Sequence, residues 1–168
     1  EREYSDTLQA NMAMEVGPTI AGQITDGQIL TSTVHEALLE ASKQCRDDRQ
    51  NFCRLLRDER DSLHDIATEL NEIESSIVTL GERITGASHT GRLARIDGEL
   101  ATLESQCTDL ANRRQETIHG RSGTQLAGID EISLAGYLYT DLETTTPALS
   151  DIAGCLNLIQ HHRIRCLR

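Results

Sequence analysis

Tryptophan is absent from this chain, and only three tyrosines and one phenylalanine are present, so aromatic residues make up 2% of its 168 residues. A core built here must be aliphatic, which is the composition of helical bundles and coiled coils. The scarcity also removes the stacking platforms on which single-stranded nucleic-acid binders depend. Lysine is nearly missing as well: Lys43 is the sole one, and every other base is arginine. Proline occurs twice, at Pro18 and Pro147. No apolar run approaches the ~20 residues needed to cross a bilayer, and the start Glu1-Arg2-Glu3-Tyr4 shows no signal-peptide pattern. These absences predict a soluble, cytoplasmic protein with no membrane partner.

What is abundant is acid. The 27 acidic residues outnumber 16 basic ones, giving a formal net charge of -11. Such a surface repels phosphate backbones, which makes nucleic acid an improbable partner. Many acids with almost no lysine is also the composition expected of a protein from a salt-loving archaeon, where concentrated salt screens self-repulsion. The five cysteines are odd in number and lack CxxC spacing, so they read as reduced thiols used as small apolar residues.

Two stretches carry the same three-and-four apolar spacing in mirror order: Leu56, Leu63, Ile66, Leu70, Ile73, Ile77, Leu80, and then Leu93, Ile96, Leu100, Leu103, Cys107, Leu110. Only a helix brings such residues onto one stripe, and a stripe this narrow suits a partner helix. The expected architecture is therefore all-α: a long antiparallel coiled-coil hairpin attached to a small helical bundle formed by the N- and C-terminal helices. Residues 1–168 form a single elongated domain in this reading, with a stalk at about 56–120 and a base of about 1–55 plus 121–168.

Along the chain, a helix is predicted from Ser5 to Val16, with Ser5 or Asp6 as its cap, then a turn at Gly17-Pro18 and a short helix to Ile24. The capping box Thr33-Val34-His35-Glu36 opens a helix expected to run to Leu80. Its first half bears a broader stripe of Val34, Leu38, Ala41, Cys45, Phe52 and Leu55. The glycines between Gly81 and Gly91 predict the hairpin turn, and the return helix follows from Thr90 to His119. A short helix over Ser133 to Asp141 and a last helix from Thr146-Pro147 complete the chain. The last helix carries Leu149, Ile152, Leu156, Ile159 and Cys166 on one face and is placed, with the first segments, against residues 33–55.

Facing Leu80 with Leu93 fixes a register that sets Ile77 near Ile96, Ile73 near Leu100, Leu70 near Leu103, Ile66 near Cys107 and Leu63 near Leu110. The next layer sets Glu59 against Arg114. Both interrupt apolar stripes, with opposite signs and in the same layer. A polar layer of this kind fixes alignment more than it adds net stability; the alternative is two solvated charges at a fraying end.

The sequence resembles an uncharacterised family of haloarchaeal helical proteins, a domain of unknown function. The residues that carry the likeness are Tyr4 to Pro18, above all Asn11-Met12-Ala13-Met14-Glu15-Val16-Gly17-Pro18, then Ile29-Leu30-Thr31, Arg113-Arg114-Gln115, Tyr137-Leu138-Tyr139-Thr140-Asp141-Leu142 and Pro147. The resemblance implies a further helical stretch upstream of Glu1. It implies no catalytic residue, cofactor or role for the cysteines.

Candidate chemistry is sparse. His162 and Cys166, four apart on the last helix with Cys155 before them, form the best metal pair, yet a closed zinc site needs four ligands and an open one three. A half-exposed histidine and a core cysteine are the simpler reading, and no metal or cofactor is expected. No nucleophile elbow or phosphate-binding glycine loop occurs, and no small-molecule substrate is predicted. Arg46, Arg49, Arg54, Arg57 and Arg60 are interleaved with acids, the pattern of a solvated helix. Only the tail, with Arg163, Arg165 and Arg168, has a local basic excess. It complements a helix C-terminus or, alternatively, contacts an anion or partner. Three readings follow: a non-enzymatic interaction or structural protein that binds a protein partner or itself as a homodimer; a regulatory module binding nucleic acid or a regulator through the basic tail; and, least favoured, a metal- or thiol-dependent enzyme.

Overall fold

A computed structural model describes residues 7–26, 31–86, 89–121 and 134–167. Every regular element among them is a helix: α1 (Leu8–Val16), α2 (Pro18–Thr25), α3 (Ser32–Thr85), α4 (Thr90–Arg121), α5 (Leu134–Leu138) and α6 (Pro147–Cys166). No helix among the described residues is long and apolar enough to cross a membrane. The chain divides into two compact units, residues 1–56 and 57–168.

In the first unit, Thr7 caps α1, its hydroxyl accepting from the Ala10 amide at 3.3 Å. Ser5 and Asp6, the caps expected from sequence, lie outside the described residues. Gly17 joins α1 to α2 at φ 89°, a left-handed conformation that glycine adopts without strain, and Pro18 begins α2, where a missing amide proton costs nothing. The start of α3 differs from the expected capping box. Thr31, not Thr33, caps it: the Thr31 hydroxyl accepts from the Val34 amide at 3.4 Å, and its carbonyl accepts from His35. Val34, Leu38, Ala41, Cys45 and Leu55 are only half-buried, and Ala21 is the one buried residue described in this unit. Glu15 ties α1 to α3 by accepting from the Cys45 thiol through its carbonyl and from Arg49 through its carboxylate.

The second unit is a helical hairpin with a third helix laid along it. Burial in α3 begins at Glu59 and continues through Ile66, Leu70, Ile73, Ile77, Leu80 and Ile84. Ile96, Leu100, Cys107 and Leu110 of α4 complete the seam, with Leu63, Leu93 and Leu103 at its margin. Ion pairs brace one edge: Arg83 grips Glu99 at 2.6 and 2.9 Å, and Arg113 meets Glu69. Glu69 and Arg83 lie two heptads apart on one arm, Glu99 and Arg113 on the other, so both bridges share the seam's register.

One further expectation needs correction. The hairpin turn does not begin at Gly81: α3 runs on to Thr85, and the connection shrinks to residues 86–89. Gly81 is a glycine inside the helix, where a β-carbon would come within 2.7 Å of the His162 ring. It marks a close approach of α6, not a breaker. Within its own unit, α6 lies along the hairpin. Its buried face, Ala148, Ile152, Cys155 and Ile159, shares one cluster with the hairpin seam. An apolar face fits any apolar surface, and the hairpin seam supplies one here.

Candidate functional site

The most concentrated polar chemistry in the hairpin unit lies at its first buried layer. Glu59 and Arg114 are 5% and 2% exposed, and they face each other at the layer where both apolar stripes are interrupted. Arg114 forks onto the carboxylate, Nη1 donating to Oε2 at 2.9 Å and Nη2 to Oε1 at 2.5 Å. The planar guanidinium matches a carboxylate in this bidentate way, which adds direction to attraction. Nη1 also donates to the Ser62 hydroxyl at 3.2 Å. Arg114 Nε is buried without a hydrogen-bond partner among the described residues.

A third residue closes the layer. Tyr139, 7% exposed, donates its hydroxyl to Glu59 Oε1. It stands just beyond α5, held by its amide bonding to the Ala135 carbonyl and by the Leu142 amide bonding to its own carbonyl, each at 3.0 Å. Burial pushes the phenol up to about 12, and Glu59 adds to the shift as hydrogen-bond acceptor and as charge. The same carboxylate raises the Arg114 guanidinium further, against its burial. The arrangement is a lock: one acid, one base and one phenol bond to one another away from solvent, with Arg114 Nε alone left without a partner among the described residues.

The tail candidates are drawn into the fold. Arg163 donates from Nε to Asp97 at 2.9 Å and from Nη1 to Glu104, and these two α4 carboxylates raise its guanidinium. Arg165 reaches the Thr85 hydroxyl at 3.2 Å and lies 3.3 Å from His162 Nδ1. Arg168 lies outside the described residues. His162 packs over Gly81; burial, then Arg165 and His161, hold its imidazole below the ordinary range. Cys166 is half-buried against the core, and burial, with Asp97 nearby, raises its thiol. The structure thus turns His162 toward α3 and Cys166 toward the core. Among the described residues no three His, Cys, Asp or Glu side chains converge in a way that could hold a metal ion. Cys155 sits 3.6 Å from a Glu74 oxygen, and burial with that charge pushes its thiol up to about 12, far from a nucleophile's range.

Sequence reasoning missed Tyr139, Asp97 and Glu104. The signal for Tyr139 was its rarity: in a chain with four aromatics, a tyrosine is a natural candidate for a buried ring whose hydroxyl needs an acceptor. Asp97 and Glu104 carried no signal, because acids at helical spacing look like any solvated face.

Residues 1–163 match the family described as a domain of unknown function, DUF7260, and the chain belongs to that family. No curated protein and no solved structure matches it.

Proposed function

We propose that this family member is a non-enzymatic helical protein that works by association, and that residues 1–56 form the contact with a second copy of the chain. The observation that carries this reading is the contrast in burial between the units. Val34, Leu38, Ala41, Cys45 and Leu55 recur at heptad spacing, yet none is buried, whereas the same spacing beyond Glu59 builds a closed core. An amphipathic helix gains most of its stability by covering its apolar face. A second copy suits the charges: Glu36 and Glu40 precede Arg46 and Arg54 along α3, so an antiparallel self-pairing brings unlike charges together. The acid-rich, lysine-poor composition supports a role in a salt-rich cytoplasm, where such charges are screened.

The alternative of a tail that binds nucleic acid loses weight because Arg163 is engaged by Asp97 and Glu104. An enzymatic role loses weight because Glu59, Arg114 and Tyr139 are buried and bonded to one another.

Sedimentation equilibrium of the full chain in high-salt buffer tests the reading. A dimer that Leu38→Asp and Leu55→Asp convert to a folded monomer is the expected result. A wild-type protein that stays monomeric at high micromolar concentration overturns it.

A further inference from the structure

A groove with a volume of about 740 Å³ runs between α3 and α6 within the hairpin unit. Leu63, Ile66 and Leu70 line its α3 wall at helical spacing, and Cys155 and Leu158 stand on the α6 wall. Leu158 is 51% exposed and adds apolar surface to the α6 wall. From Leu63 to Glu74 the α3 wall extends roughly 17 Å, about three helical turns.

Gly154 lies in the middle of α6 and lines the same groove. Glycine is unfavourable inside a helix, and nothing in the chain requires it here: its φ is not positive, and a β-carbon would meet no atom within 4 Å. Gly81 shows the contrast, since its missing β-carbon is filled by His162. Across the groove stands Ala67, another small residue. Together they leave room for a backbone to approach, as an incoming helix requires.

Charge selects the occupant. Glu74 and Asp151 supply the ionised side chains, and no lysine, arginine or histidine is among the described lining residues. An acidic helix would meet like charge at such a rim, whereas a basic one finds partners there. We propose that the groove between α3 and α6 binds a basic amphipathic helix of a partner protein, about three turns long, with leucine-like residues packed along Ile66 and Leu70 and lysine or arginine flanks against Glu74 and Asp151. The site lies within residues 57–168 and does not rest on self-association through residues 1–56.

The test uses the full chain and a 15-residue peptide of leucine and lysine, with leucine at helical three-and-four spacing, read by calorimetry. A second peptide carries glutamate in place of every lysine. The expected result is saturable one-to-one binding of the lysine peptide and none of the glutamate peptide. Gly154→Leu fills the groove from the α6 wall, melts no lower than wild type because leucine is the better helix former, and weakens the lysine peptide at least tenfold. Glu74→Arg with Asp151→Arg weakens it by a similar factor with an unchanged circular dichroism spectrum. Failure of the wild type to bind overturns the proposal. So does Gly154→Leu binding as wild type, which places the peptide elsewhere on the acidic surface, equal binding of the glutamate peptide, or a change in the protein's own mass on Gly154→Leu, which makes the groove a self-interface.

Discussion

The hydroxyl of Tyr139 donates to Glu59, 80 residues earlier in the chain, at the oxygen that also accepts from Arg114 Nη2. One carboxylate oxygen therefore joins the two arms of the hairpin to the segment that follows α5. Each member of this trio is buried, so each depends on the others for its polar partners.

Removing one charge from the layer is expected to be far worse than removing the layer. Arg114→Met strands a buried carboxylate and should cost about 3–5 kcal/mol, whereas Glu59→Met, Arg114→Met and Tyr139→Phe together should fall within about 1–2 kcal/mol of wild type or exceed it. Tyr139→Phe alone removes a hydrogen bond to a charged acceptor and should cost about 1.5–3 kcal/mol. Urea denaturation of the four proteins checks the order.

Alkali should act on the same layer. The Tyr139 phenol ionises at about 12 in the fold and near 10 in the unfolded chain, so the unfolded chain loses its proton first. Stability present below about pH 10 is then lost as pH rises toward 12, by about 2–3 kcal/mol in full. Other groups titrate there too, so the readout is the difference between wild type and Tyr139→Phe in urea midpoint across this range. The variant should lose less.

Gly81 and His162 should prove coupled with a change of sign. Gly81→Ala drives a β-carbon to 2.7 Å from the imidazole and should destabilise the wild type by about 1–3 kcal/mol, despite alanine's better helix propensity. In a His162→Ala background the clash is gone, and Gly81→Ala should stabilise by about 0.5–1 kcal/mol. His162 also sets an acid response. Its folded pKa lies below the unfolded value near 6.5, so the unfolded chain takes the proton first and stability falls as pH drops through 6.5. His162→Gln should flatten that slope in thermal melts at pH 5 to 7.

The cysteines should separate by reactivity. Cys53 is exposed, while burial raises the thiols of Cys107 and Cys155, with Glu104 and Glu74 respectively adding to the shift. Brief iodoacetamide treatment at pH 8, followed by peptide mass spectrometry, should modify Cys53 first. Cys107 and Cys155 should react only when the protein is unfolded.

The hairpin was legible because a heptad has one solution once two defects must share a layer: Glu59 and Arg114 supplied the alignment that leucines alone leave open. The end of α3 was not, because glycine is written the same way whether it breaks a helix or admits a neighbour, and only His162 distinguishes the two at Gly81. The position of α6 was likewise hidden. Its stripe of Ile152, Cys155 and Ile159 says that a face is buried, never against what, and the acids that hold Arg163 sit on a helix that carries other acids, Glu99, Asp109 and Glu116, with the same look. Tyr139 reaches Glu59 through tertiary packing that no periodicity encodes.

A single charged rung in an otherwise apolar ladder also acts as a gauge of arm length. Deleting seven residues from the α3 arm between that rung and the tip sets Glu59 opposite Cys107, and deleting seven from the α4 arm sets Arg114 opposite Ile66; either change parts the two buried charges. Deleting seven from both arms keeps them opposed. Lengthening or shortening of this stalk is therefore tolerated only in matched steps, one heptad per arm, and the two arms are bound to change together.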